Sequence, residues 1–136
     1  VPAFYRVESF RSEVERRFNA RGEVTTISQA VVKMQVGDTP SMQVAEGNGP
    51  VNALDDAMRK SLLPAYPELE AMRLVDFKGR ILTPQQATAA VTRVMIESSD
   101  DTGLRWGTVG ISPNIIDAAY EALDDAIVYK LLQGRS

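Results

Sequence analysis

A chain of 136 residues, 44% apolar and 24% charged, has the size and composition of one globular domain. Its net charge of −3, with no Lys/Arg cluster, argues against a nucleic-acid partner, which needs a basic face. No apolar run is long enough to span a membrane and no signal peptide is visible, so the expectation is a cytoplasmic chain with no membrane partner.

The absence of Cys and His removes thiolate nucleophiles, disulfides, the usual zinc sites and the default general base. A Ser-His-Asp or Cys-His arrangement is impossible within these residues. Catalysis would fall to carboxylates, Lys, Tyr or a carboxylate-bound metal, so a domain without chemistry of its own is favoured. The start at Val1 rather than Met predicts a piece of a longer polypeptide.

Phe10–Phe18 alternates, with Phe10, Ser12, Val14, Arg16 and Phe18 on one face, but Phe10, Val14 and Phe18 also fit a helical period. Thr25–Val36 is rich in β-branched residues and places Ala30, Val32, Met34 and Val36 on one face. Gly37-Asp38-Thr39-Pro40 reads as a turn, and Ser41–Ala45 as the returning strand. After Glu46-Gly47-Asn48-Gly49, Pro50 suits the first position of a helix whose apolar stripe is Val51, Leu54, Met58, Leu62 and Ala65.

The same order then recurs. Met72–Leu82, Thr88–Glu97 and Leu104–Ile111 read as strands, separated by a turn at Thr83-Pro84 and a polar loop at 98–103. Ser112-Pro113 opens a second helix with Ile116, Ala119, Leu123, Ile127 and Leu131 on its buried stripe and Gly134 as its C-terminal cap. The recurrence makes Phe10–Phe18 a strand. The expected fold is α+β: two βββα units, 6–67 and 70–134, each an antiparallel three-stranded sheet with a helix on one face.

The pentapeptide Ala-Leu-Asp-Asp-Ala occurs twice, at 53–57 and 122–126, and invites a reading as paired catalytic carboxylates. Adjacent helical residues diverge by ~100°, so the aspartates are expected on solvated faces. Aligning Pro50 with Pro113 gives an offset of 63, whereas the pentapeptides are 69 apart. Those six residues amount to ~240° of helical rotation, so the copies are not equivalent in that alignment.

Gly47-Asn48-Gly49-Pro50 has two readings. It is a tight strand-to-helix connection, or it is a place where another molecule approaches the backbone beside a helix start that favours an anion. The third glycine of a dinucleotide fingerprint is missing. Ser112-Pro113 starts the second helix in the matching place, which suggests two half-sites with helix N-termini facing one anion or meeting across a dimer. Trp106 is expected to be a buried anchor. Asp76, an acid among apolar neighbours, is expected to pair with Arg80 or Arg93, or to accept a ligand ammonium.

Across essentially its whole length, through GNGPVNAL, LVDFKGRI and IESSD…WGTVG-S-NII-A, the chain resembles the C-terminal regulatory domain of the citramalate synthase and 2-isopropylmalate synthase family. The YKLL ending leans toward citramalate synthase. The resemblance implies a single dimerising regulatory domain, 1–136, that binds isoleucine or leucine and lowers activity at a distant TIM barrel of the same polypeptide. It implies no catalytic residue, metal or cofactor in this piece, the divalent metal and acetyl-CoA belonging to the barrel.

The family's effector-site positions carry over to Gly47, Gly49 and Asn52 at the first helix start and to Leu74, Phe77 and Ile81 on LVDFKGRI. Ala87 and Ala89 on the next strand and Ile115 at the second helix start complete them. Leu74 and Phe77 do not share a face of a regular strand, so a bend or bulge is required between them. The alternatives are a leucine-sensing domain of an isopropylmalate synthase and a purely structural dimerisation module.

Overall fold

The computed structural model describes residues 4–82 and 91–133. The chain divides into two compact units, Val1–Pro67 and Glu68–Ser136. The first contains β1 (Tyr5–Phe18), β2 (Val24–Val36), β3 (Thr39–Gly47) and helix α1 (Pro50–Leu62). The second contains β4 (Arg73–Leu82), β5 (Val91–Ser99), β6 (Arg105–Ser112) and helix α2 (Ile115–Gln133), and a short 3-10 turn at Pro67–Ala71 leads into β4. The expected α+β architecture is therefore present: two antiparallel three-stranded sheets of order β1-β2-β3 and β4-β5-β6, each followed by a helix.

Each unit is built by alternation. In unit 1, Ala30, Val32, Met34 and Val36 face α1 and are buried, as are Val51, Leu54, Met58 and Leu62 of the helix. Ala65 lies past the end of α1 and is exposed, so the predicted stripe stops one turn early. The turn between β2 and β3 needs only Gly37 and Asp38. Gly37 takes φ +61° at the first of these two positions, as a tight hairpin requires, and Thr39 and Pro40 belong to β3.

In unit 2, Val94, Ile96 and Trp106 pack beneath α2, whose buried side is alanine-rich: Ala118, Ala119, Ala122 and Ala126 with Leu123, Ile127 and Leu131. Small residues let helix and sheet approach closely. At Gly110 even a Cβ would collide with the Ala118 carbonyl oxygen. Trp106 is the expected buried anchor; its Nε1 donates to the Ala126 carbonyl at 3.2 Å, and its ring packs 5.4 Å from that of Tyr129.

The duplication is visible residue by residue. Each first strand carries a bulge against its neighbour, between Val7 and Ser9 in one unit and between Leu74 and Asp76 in the other. The first helical hydrogen bonds, Ala53 N to Gly49 O and Ala118 N to Asn114 O, are 65 residues apart, as are the third-strand partners Ser41 and Trp106. The offset of 63 taken from the two prolines is thereby corrected. The pentapeptides are four residues out of register, not six, which is ~40° around the helix and puts both leucines on the buried side.

Candidate functional site

The two helix starts are constructed differently. In α2 the cap is Asn114, two residues after the expected start: its Oδ1 accepts from Ile116 N at 2.8 Å and Asp117 N at 3.1 Å. Pro113 stands before the cap rather than inside the helix, and Ser112 Oγ accepts from Asn114 N. In α1 the cap position is Gly49, no side chain caps it, and Pro50 follows. Of the two anion-favouring ends expected from sequence, α2 is closed by its own asparagine and α1 is left open.

The glycines of that connection have different reasons to be there. A Cβ on Gly47 would stand 2.8 Å from Ala53 N, so glycine is needed for the end of β3 to meet the start of α1. Gly49 has extended backbone at φ −166° and nothing within 4 Å of its missing Cβ. Neither packing nor backbone demands glycine there. Asn52, the third predicted residue of unit 1, is half-buried on the first turn of α1.

In unit 2 the required bulge is found, and Val75 is the extra residue. Leu74 pairs with Ser98, Phe77 with Ile96 and Ile81 with Thr92. Directly opposed residues of an antiparallel pair share a face, so Leu74, Phe77 and Ile81 all lie on the helix side of the sheet. Because α2 rests on β5 and β6, this strip of β4 stays uncovered: Phe77 is 40% exposed and Ile81 68%. The predicted Ile115 joins it, since a Cβ on Gly79 would lie 3.4 Å from Ile115 Cδ1. Gly79, between Phe77 and Ile81, was missed from sequence, although glycine inside a strand signals close approach. Ala87, Ala89, the turn at Thr83-Pro84 and the cap Gly134 lie outside the described residues.

Asp76 faces the other way, opposite Glu97, and is exposed. Among the described residues no ion pair joins it to Arg80 or Arg93, and its face removes it as the ammonium partner of a ligand lying on Leu74, Phe77 and Ile81. On its side of the sheet a groove of about 480 Å³ runs between Asp76, Lys78, Met95, Glu97, Arg105 and Gly107. That groove shares no residue with the predicted effector set.

The carboxylates of the repeated pentapeptides are not all solvated. Asp55 is buried, contrary to expectation, and Arg59 Nε donates to both of its oxygens at 3.1 Å. Burial pushes the Asp55 carboxyl up, against the opposing pull of Arg59. Asp100 organises the β5–β6 loop. Its Oδ1 accepts from Thr102 Oγ1 at 2.6 Å, Thr102 N at 2.9 Å and Leu104 N at 3.2 Å, while Lys130 Nζ approaches Oδ2 at 3.2 Å. The Thr102 hydroxyl, then its backbone amide and Lys130, hold Asp100 down at about 2 despite partial burial. Among the described residues no group of acids could hold a metal ion, and no helix is long and apolar enough to cross a membrane.

The duplicated βββα module is that of a regulatory domain family: the chain belongs to the LeuA allosteric (dimerisation) domain family, which it matches over residues 3–131. Within that family it is similar to the (R)-citramalate synthase of Geobacter sulfurreducens, 47% identical over 94% of this chain, and to that of Aquifex aeolicus, 39% identical over 98%. The 2-isopropylmalate synthase of Aquifex aeolicus is more distant, 27% identical over 91% of the chain. The chain spans about a quarter of the length of these relatives, 24%, 24% and 22% respectively.

Proposed function

We propose that this chain is the effector-sensing domain of an (R)-citramalate synthase and that its effector is isoleucine. The observation that carries the reading is the gap between 39–48% identity to citramalate synthases and 27–32% to isopropylmalate synthases. Its physical support lies in the two units taken separately. The open start of α1, with the Val51 and Asn52 amides beyond Gly49, suits a carboxylate, and Leu74, Phe77, Ile81 and Ile115 suit a branched side chain.

In this reading the piece carries no catalytic group or cofactor and works in the cytoplasm as a homodimer. The catalytic barrel of the same polypeptide holds the divalent metal and condenses acetyl-CoA with pyruvate. Effector binding favours one arrangement of the whole protein, and a coupling of ~1–3 kcal/mol is enough for a clear regulatory response. The nearest competitor is leucine sensing, since moving one methyl in an apolar pocket is worth only ~1–3 kcal/mol.

Calorimetric titration of the chain with isoleucine, leucine and valine tests the assignment. Saturable binding with isoleucine tightest is expected. Leucine tightest would reassign the chain to the isopropylmalate branch, and no heat from a folded dimer would make it a structural module. Gly49→Val is expected to leave the fold intact, because nothing crowds that position, and to abolish binding. Normal binding by the variant would overturn the role given to the loop.

A further inference from the structure

We infer that Ser28 is a further effector contact in unit 1, its hydroxyl donating to the carboxylate that the open start of α1 is proposed to hold. The inference rests on the effector reading above and adds a residue to it. Ser28 stands on β2 in step with Ala30, Val32, Met34 and Val36, so it is on the side of the sheet that α1 covers. It lies directly opposite Gly47 on β3. Gly47 in turn lies beneath the first turn of α1, since a Cβ there would stand 2.8 Å from Ala53 N. Directly opposed residues of an antiparallel pair have Cα atoms about 4.5–5.5 Å apart. Ser28 is thus one neighbour away from the uncapped end of the helix, and Gly47 puts no side chain between them.

Burial sets this hydroxyl apart. Ser28 is 5% exposed, yet among the described residues nothing bonds to its Oγ. A hydroxyl taken out of water without a partner costs stability, so each such group calls for a reason. Ser61 and Ser98 also lack partners, but their oxygens are sealed from outside. The Ser28 oxygen is not sealed, so a molecule seated beside α1 can reach it.

The duplicate supplies the comparison. Across the sheets, Val14, Ser28 and Gly47 match Ile81, Thr92 and Ser112, and Thr92 is buried as Ser28 is. Where unit 1 has Gly47 and Gly49, unit 2 has Ser112 and Asn114, whose side chains take up the amides at the start of α2. Unit 1 has no side chain at either place to do so, and nothing stands within 4 Å of a Cβ on Gly49. What remains there is a set of donors: the Ser28 hydroxyl and the Val51 and Asn52 amides. The α-carboxylate of an amino acid supplies the two acceptor oxygens that such a set needs, and an anion holds the hydroxyl in its donor role.

Calorimetric titration of the 136-residue chain with isoleucine, alongside melting, tests the contact. Ser28→Ala is expected to melt as a folded protein and to bind isoleucine about tenfold or more weakly, the size of effect for a hydrogen bond to a charged group. Ser28→Cys fills the same space with a weak donor and should behave like the alanine variant, a second route should that one fold poorly. Ser28→Thr keeps the hydroxyl, and unit 2 already holds a threonine at the matching position, so affinity should stay within about threefold of the wild type. Ser61→Ala, which removes a sealed hydroxyl of the same unit, is the control and should bind normally.

The same ratios are expected with leucine, whose carboxylate is identical. Folded Ala and Cys variants that bind within about twofold of the wild type would overturn the role of Ser28 and leave the effector reading standing. A Thr variant as weak as the Ala variant would also overturn it, since packing rather than the hydroxyl would then be what matters. A folded wild type that binds neither amino acid would overturn the effector reading itself, and this contact with it.

Discussion

Asp100 and Asp55 show how far one residue type can diverge within a single chain. Asp100 is held at about 2 by donors that require its anion, so its folded value lies below its unfolded one. The stability it contributes is present above the ordinary carboxylate range and is lost as pH falls toward 2. Asp100→Asn is expected to remove that portion of the acid-unfolding limb between about pH 4 and pH 2, with little change in the slope above it, as a melting series in pH would show. Asp55 shifts the other way because burial outweighs its pairing with Arg59. The sequence offered Asp55 and Arg59 at i and i+4, a legible ion pair, but not that the pair lies on the covered side of α1. The covered face of α1 is wider than the stripe of Val51, Leu54, Met58 and Leu62 and takes in Asp55, whereas in α2 it was the helix start that the prolines misplaced, by two residues. Asn114 was legible in principle, as an Asn with Asp117 three positions on; the stronger habit of Pro at a first helical turn hid it.

At the scale of an element, period 2 was enough to find the strands, and recurrence was enough to reject a helix at Phe10–Phe18. Strand parity carried more information than expected. Because Leu74 and Phe77 cannot share a face of a regular strand, the bulge was legible before the fold, and it falls at Val75. Parity also makes a prediction. Deleting Val75 removes the extra residue and leaves Leu74, Phe77 and Ile81 on the helix side, so the variant should fold and retain effector affinity within about threefold. Deleting Lys78 reverses Gly79–Leu82 and turns Ile81 away from its face, which should unfold unit 2 or abolish binding. A titration alongside circular dichroism separates the two outcomes. Tolerance of the Lys78 deletion would show that β4 does not present the effector face. What parity could not reveal is the uncovered strip itself, because exposure of β4 depends on α2 resting over β5 and β6.

At the scale of the whole molecule, the matching first strands of the duplicated unit differ in build. β4 has Gly79 and an uncovered apolar strip; β1 has Ser12 at the matching position and runs on, paired with β2, past the end of β3. The absence of His and Cys already pointed away from chemistry, and Asp55 and Asp100 serve an ion pair and a loop. Which effector is bound lay beyond reach of either, because isoleucine and leucine differ only in the placing of a single methyl.

The contrast between the two helix starts has a practical consequence. Position 49 in the first unit and position 114 in the second occupy the same place in the repeat, so the chain is its own alignment: what one unit tolerates, the other has already tried. Gly49→Asn would write the α2 cap into α1. Its side-chain oxygen would then take the Val51–Asn52 end amides that the effector's carboxylate is proposed to use, as a tethered rival always present at high local concentration. Melting should rise by the few tenths of a kcal/mol that separate Asn from Gly at a cap, while isoleucine affinity falls at least about tenfold. A synthase bearing that change would keep its regulatory domain and grow deaf to its signal.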